Sequence, residues 1–81
     1  MQLTPVQVES YAGYKADETP RRFLIEGRWM EIVEVIARWH QIESQPERPR
    51  SDYFKVRATD GRDYLLRHDQ EADKWFLGRT W

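Results

Sequence analysis

The stretch that decides the fold runs from Tyr53 to Leu66 and reads YFKVRATDGRDYLL. Polar and apolar residues alternate up to Ala58, and a second apolar run follows the turn residues Asp60-Gly61. An Asp-Gly pair between two such runs is typical of a β-hairpin, because glycine readily takes the positive φ that the turn requires. The stretch therefore predicts two antiparallel strands joined by a tight turn.

Two registers of this hairpin are possible, and they place different side chains on the same face. A two-residue loop would pair Val56 with Leu65 and would mix charged residues into the face of Phe54. A three-residue loop with Gly61 at a bulge pairs Val56 with Tyr64 and collects the apolar side chains on one face. We therefore predict the three-residue loop, which also pairs Phe54 with Leu66.

The opposite face of the predicted hairpin is polar and forms a candidate binding surface. In the three-residue register, Arg57 lies opposite Asp63 as a cross-strand ion pair, and Lys55 lies opposite Leu65. Cations at alternate positions could contact phosphate oxygens, and a neighbouring tyrosine ring could stack on a base. The candidate binding face consists of Tyr53, Lys55, Arg57 and Arg67.

Further strands are predicted on both sides of the hairpin. Residues Val6–Tyr11 alternate roughly, and Phe23–Ile25 form a short apolar run that ends before Gly27, a suitable turn residue. Residues 13–20 are polar and are predicted to form a loop. Lys74–Trp81 is predicted to be the last strand, with apolar side chains on both of its faces.

The segment Trp29–His40 can be interpreted as a helix or as a strand. On a helical wheel Glu34 and Arg38 share a narrow polar face and are spaced i,i+4, which favours a helix. Four β-branched residues between Ile32 and Ile36, together with the lack of an N-cap residue, favour a strand. We predict a strand here, with a helix at 29–40 as the alternative.

Length and composition indicate one small domain, residues 1–81, with a mobile loop at about 41–51 where Pro46 and Pro49 lie among polar residues. The fold class expected is all-β, with five to six short antiparallel strands in a meander or a small barrel-like sheet. A chain of 81 residues has a small core. We therefore expect three of the four tryptophans to lie in that core, namely Trp29, Trp39 and Trp75.

The charge and the motifs exclude several classes of function. The formal net charge is −1, which argues against a strongly basic nucleic-acid binder. The sequence has no cysteine, no serine in a nucleophile motif and no glycine-rich phosphate loop. The acidic turn from His68 to Asp73 lacks the glycine and the final glutamate of a calcium loop, so we expect no metal. One candidate anion contact remains, the pair Arg21 and Arg22.

Two parts of the sequence resemble known bacterial proteins. The first part is Ser10–Tyr14, Asp17-Glu18 and Pro20–Phe23, and it resembles a family of small uncharacterised bacterial proteins. The second part is Asp52–Phe54, Val56, the Asp60-Gly61 turn and Trp75–Gly78, and it is similar to the C-terminal region of ImuB, a polymerase-like accessory protein of bacterial mutagenesis. The resemblance implies a strand at Trp29–His40, an accessory role and no catalytic residue.

The sequence thus predicts a non-catalytic binding module, without a cofactor, rather than an enzyme. The expected partner is another protein or a second copy of the chain, in a context related to DNA repair. The alternative is weak binding of single-stranded nucleic acid by the candidate binding face. The N-terminal sequence does not predict a signal peptide, and no apolar run is long enough to span a bilayer. We therefore expect a cytoplasmic protein with no membrane partner.

Overall fold

The computed structural model describes residues 3–11, 19–41 and 51–78. Seven β-strands form within these ranges: β1 Leu3–Val6, β2 Val8–Tyr11, β3 Thr19–Ile25, β4 Arg28–Gln41, β5 Ser51–Ala58, β6 Asp63–Asp69 and β7 Lys74–Gly78. The predicted all-β fold is confirmed, with one or two strands more than expected. These ranges contain no helix that is long and apolar enough to cross a membrane.

The seven strands form one curled antiparallel sheet in the order β1-β7-β6-β5-β4-β3-β2. Its two end strands, β1 and β2, are consecutive in sequence and are separated by Gln7 alone. The carbonyl of Gln7 accepts a hydrogen bond from the N–H of Leu24, at 2.9 Å. One N-terminal segment therefore pairs with β7 through its first half and with β3 through its second half, which brings the two ends of the sheet together.

The predicted register of the central hairpin is confirmed. Val56 pairs with Tyr64 and Phe54 pairs with Leu66 across β5 and β6. Gly61 has a φ of 81° and donates its N–H to the last carbonyl of β5, at 2.9 Å. This register is favoured because only the three-residue loop places the apolar side chains together on the inner face.

The core lies on the inner face of the curled sheet. Its fully buried side chains are Phe23, Phe54, Val56 and Leu66, and its other members are Ala58, Tyr64, Trp75 and Leu77. The rings of Phe23 and Tyr64 meet edge to face with centroids 5.1 Å apart, a favourable aromatic arrangement. β3 and the central hairpin are thereby held together by aromatic packing.

Two of the three tryptophans expected in the core are outside it. Trp75 is buried, but Trp29 and Trp39 are each 41% exposed. Both lie on β4, where the strand register places them on the outer face of the sheet, opposite Leu24 and Tyr53. The prediction was wrong because it used ring size alone, whereas strand alternation decides which face a ring occupies.

The segment Trp29–His40, for which the sequence allowed a strand or a helix, lies within β4. The predicted strand is therefore confirmed and the helix is excluded. β4 pairs with β3 over Arg28–Glu31 and with β5 from Ile32 to Gln41. The pairing with β5 is shifted at Val33 and again at Ile36. Each shift inserts one extra residue and breaks the alternation of period two, which explains why the sequence pattern resembled a helix.

The predicted loops fall largely outside the described ranges. The loop predicted at 41–51 is bounded by strands, because Gln41 ends β4 and Ser51 begins β5, and residues 42–50 are not described. Thr19 and Pro20, predicted as the end of a loop at 13–20, belong to β3, so that part of the prediction was wrong, and residues 13–18 are not described. Of the predicted last strand Lys74–Trp81, the residues Lys74–Gly78 form β7 as expected, and residues 79–81 lie outside the described residues.

Candidate binding surface

The four residues of the predicted binding face lie on the outer side of the central hairpin. Tyr53, Lys55 and Arg57 alternate along β5 with the buried residues of the core, and Arg67 lies opposite Tyr53 on β6. Because opposite residues of an antiparallel pair point to the same face, the register brings all four side chains to one surface. The structure thus groups the four residues as the sequence predicted.

Arg57 is paired with a carboxylate, also as predicted. Its Nε donates a hydrogen bond to Asp63 Oδ1 at 3.0 Å across the hairpin. This hydrogen bond and the negative charge of Asp63 raise the pKa of the Arg57 guanidinium. The pair is exposed, so it contributes little to stability, but it reduces the charge that Arg57 offers to an external anion.

Four strands contribute one side chain each to a continuous row on the same surface, which we call the aromatic row. The row consists of Trp39 on β4, Tyr53 on β5, Arg67 on β6 and Phe76 on β7. The rings of Trp39 and Tyr53 stack with centroids 5.4 Å apart and planes 5° from parallel. The guanidinium carbon of Arg67 lies 5.4 Å from the centroid of Phe76, a cation–π contact.

The sequence interpretation identified two members of the aromatic row and missed the other two. Phe76 was recognisable as an apolar residue on the second face of the last strand, since it alternates with the buried Trp75 and Leu77. Trp39 was missed because the sequence interpretation placed it in the core on ring size alone, whereas it is 41% exposed. The two bulges each shift the alternation by one residue, so their effects cancel, and Trp39 lies on the same outer face as Trp29.

Leu65 lies on the same outer face but is not an exposed member of it. It is 3% exposed and does not belong to the core cluster on the inner face. Lys55 lies opposite Leu65, as predicted. By strand register the outer face of β4 to β7 carries four cations, Lys55, Arg57, Arg67 and Lys74, and four carboxylates, Glu31, Glu34, Asp63 and Asp69.

The candidate anion contact, Arg21 and Arg22, is separate from this surface. Arg22 donates from Nε to Glu9 Oε2 at 2.7 Å and stacks over Trp29, with its guanidinium carbon 4.5 Å from the ring centroid. Arg21 is exposed and lies over the ring of Tyr11, at 5.1 Å. An anion would have to compete with Glu9 for Arg22, so Arg21 is the more accessible cation of the two.

A polar cluster that the sequence did not predict lies at the far end of β4 and β5. His40 Nδ1 contacts Asp52 Oδ1, and the Nε2 amide of Gln70 donates to Asp52 Oδ2 at 2.6 Å. Burial alone would raise the pKa of the Asp52 carboxyl, but the hydrogen bonds from His40 and Gln70 and the charges of His40 and Arg38 outweigh it. The pKa of Asp52 is therefore lowered.

The acidic turn after β6 is held by its own backbone. Asp69 Oδ1 accepts hydrogen bonds from the N–H groups of Glu71 and Ala72, each at 3.1 Å. The imidazole of His68 is buried, stacks on Trp75 with centroids 4.3 Å apart, and has its Nε2 at 3.0 Å from Asp73 Oδ1. Among residues 3–11, 19–41 and 51–78, no three histidine or acidic side chains converge as metal ligands would.

Comparison with models of known protein families identifies the family of this chain. The model of a domain of unknown function, DUF6504, matches residues 2–81, which is nearly the whole sequence. The chain belongs to the DUF6504 family. Neither the curated proteins nor the solved structures gave a significant match. The predicted resemblance to an uncharacterised family is thereby confirmed, whereas the similarity to ImuB stays a prediction.

The DUF6504 chain also exposes an apolar strip along β4. Val33 is 61% exposed, and Val35 and Ile36 are each 37% exposed. Among the described strands, β3 pairs only with Arg28–Glu31 of β4, so from Ile32 onward this edge of the strand has no described neighbour. We call Val33, Val35 and Ile36 the β4 apolar strip.

Proposed function

We propose that this domain is a non-catalytic binding module whose partner, another protein or a second copy of the chain, covers the β4 apolar strip. The observation that carries the proposal is the exposure of three branched side chains, Val33, Val35 and Ile36, within four residues of one strand. Exposed apolar side chains along a strand without a described neighbour favour association, because covering them removes apolar surface from water.

The shape of β4 indicates how such a partner would bind. The bulges at Val33 and Ile36 interrupt the regular spacing of backbone groups along the strand. Bulges of this kind disfavour the addition of a long regular strand to a sheet edge. We therefore expect the partner to contact mainly the side chains of the strip, rather than to extend the sheet through a continuous ladder.

The charges beside the strip support a specific contact rather than non-specific adhesion. Glu34 lies within the strip and Arg38 follows it, and both are exposed. Charged groups of both signs around an apolar centre match the usual anatomy of a protein interface, with an apolar core and a polar rim. The partner would present apolar side chains to Val33 and Ile36, with polar groups of both signs around them.

The experiment compares the wild-type chain with Ile36→Asp and with Arg62→Asp, a control in the exposed β5–β6 turn. Sedimentation velocity measures self-association, and affinity capture from a lysate of the source cells measures binding of other proteins. We expect the wild type to form a dimer or to retain a defined protein, with binding about ten-fold weaker for Ile36→Asp and unchanged for Arg62→Asp. A wild type that stays monomeric and retains nothing beyond what Ile36→Asp retains would refute the proposal.

The cellular context is part of the same proposal. A role close to DNA repair is supported by the resemblance of the Asp52–Gly78 region to the C-terminal region of ImuB. A cytoplasmic location agrees with a composition of 33% charged residues and no cysteine. Fractionation of the source cells before and after DNA damage tests both points, since a repair accessory would increase in abundance after damage while remaining in the cytoplasmic fraction.

A further inference from the structure

We propose that the aromatic row is a binding site for single-stranded nucleic acid. Its bases would stack on the rings of Trp39 and Tyr53, and its phosphates would contact Arg67 and the cations beside it. This site is distinct from the β4 apolar strip, because the row crosses four strands on the outer face of the sheet. The inference therefore goes beyond the proposed protein partner and stands or falls separately.

The length of the row suits a short single strand. Neighbouring strands lie about 4.8 Å apart, so a row across four strands spans about 14 Å. At a spacing of about 3.4 Å per stacked nucleotide, this distance accommodates about four nucleotides, the lower limit for small single-strand-binding domains. The rings are accessible, since Trp39 is 41% exposed and neither Tyr53 nor Phe76 is fully buried.

Arg67 is the cation of the aromatic row, and in the described part of the chain no carboxylate competes with a ligand for its guanidinium group. Arg67 makes its cation–π contact with Phe76, and no described aspartate or glutamate pairs with it. A guanidinium held against a ring can contact a phosphate through its N–H groups, or can stack on a base through its plane. Arg67 therefore differs from Arg57, whose charge is shared with Asp63.

Two other ligands that stack on aromatic rings fit the row less well. A proline-rich peptide inserts its rings into grooves lined by separate aromatic side chains, whereas Trp39 and Tyr53 stack on each other. A sugar needs polar acceptors beside the ring for its hydroxyl groups. The two outer carboxylates of β6 are already engaged, because Asp63 accepts from Arg57 and Asp69 accepts from the backbone of the following turn.

The balance of charge sets the strength and the salt dependence of binding. Four cations and four carboxylates balance on this face, so the attraction of a phosphate to Arg67 is local, which suits weak binding in the micromolar range. Two phosphate contacts on a single strand give a salt slope of about −1.4. Affinity is then expected to fall about seven-fold between about 50 and 200 mM salt.

The test is a fluorescence-anisotropy titration of the full chain with labelled oligothymidine and oligouridine of about 12 nucleotides. A matched DNA duplex and inorganic polyphosphate serve as competitors. The variants are Trp39→Ala and Arg67→Gln. The control is Trp29→Ala, which removes the same residue type with the same exposure from the same strand but outside the row. Circular dichroism checks that every variant is folded.

We expect both oligonucleotides to bind with micromolar affinity at low salt. Trp39→Ala is expected to weaken binding about ten-fold or more through the lost stacking, Arg67→Gln to flatten the salt dependence, and Trp29→Ala to have little effect. The proposal is overturned by the absence of binding at low salt, by equal losses in the two tryptophan variants, or by polyphosphate or duplex competing as well as the single strand. Binding of a proline-rich peptide that depends on Trp39, without oligonucleotide binding, would also overturn it.

Discussion

Trp39 on β4 and Tyr53 on β5 stack across the sheet, with ring planes 5° from parallel and centroids 5.4 Å apart. The two residues are direct partners in the strand register, so the stack lies over a backbone ladder and not over a flexible loop. Aromatic rings held this way lose little entropy when a planar ligand binds, because the sheet and the partner ring already restrict their rotamers.

This relationship predicts a measurable coupling between the two rings. Trp39→Ala, Tyr53→Ala and the double variant form a double-mutant cycle, and aromatic pairs couple by about 0.5–1.5 kcal/mol. We expect the double variant to be destabilised by less than the sum of the single variants, measured by urea denaturation. A coupling of zero would mean that the rings do not stack in solution.

The β5–β6 turn predicts a second effect on stability. Gly61 has a φ of 81°, and a Cβ at this position would meet no atom within 4 Å. The cost of Gly61→Ala is therefore backbone strain alone, about 1–2 kcal/mol, whereas Gly61→Asn costs less because asparagine tolerates this conformation. The measurement is the urea midpoint of both variants. Equal urea midpoints for Gly61→Ala and Gly61→Asn would contradict the left-handed conformation at this residue.

The hairpin could be predicted from the sequence because the residues that determine its register lie close together in the chain. The turn residue Gly61 and the alternation on either side of it select one register, and that register in turn determines which side chains share the outer face. Tyr53, Lys55, Arg57 and Arg67 were grouped correctly for this reason. Each step of that inference involves residues close together in the chain.

The parts that the sequence did not predict depend on distant pairing. The bulges at Val33 and Ile36 arise where β4 pairs with β5, and no residue type in β4 marks them in advance. The two bulges together restore the alternation, so they change the partner of Trp39 on β5 rather than the face on which its ring lies. The contact of His40 with Asp52 likewise depends on the register after the second bulge, so it required the structure.

The third prediction concerns stability: truncating an aromatic residue of the inner face should destabilise the domain more than truncating one of the outer face. Phe54 is fully buried, and Trp75 packs against it with ring centroids 5.6 Å apart. Phe54→Ala or Trp75→Ala is expected to cost about 3–5 kcal/mol, most of the stability of a small domain. Trp29→Ala, at a ring 41% exposed, is expected to cost much less. Comparable losses at Trp75 and Trp29, by thermal or urea denaturation, would contradict the assignment of faces.

The last prediction concerns acid denaturation and rests on Asp52. Burial raises the pKa of this carboxyl, but the hydrogen bonds of His40 and Gln70 and the charges of His40 and Arg38 lower it by more, so its folded value lies below the usual 3.8. A carboxyl with a lowered folded pKa stabilises the protein above its unfolded pKa. That stabilisation is lost as the pH falls through the folded value.

We therefore expect the free energy of unfolding to fall as the pH drops below about 4. Asp52→Asn, which keeps the shape of the side chain and cannot ionise, is expected to lower stability at neutral pH and to flatten this fall. Asp60, whose pKa is lowered first by the Tyr64 hydroxyl at 2.5 Å and then by the Arg62 N–H, contributes in the same direction. Its variant Asp60→Asn is the comparison. Urea denaturation from pH 7 to 3 measures all three proteins, and an acid dependence that Asp52→Asn leaves unchanged would show that Asp52 ionises alike in both states.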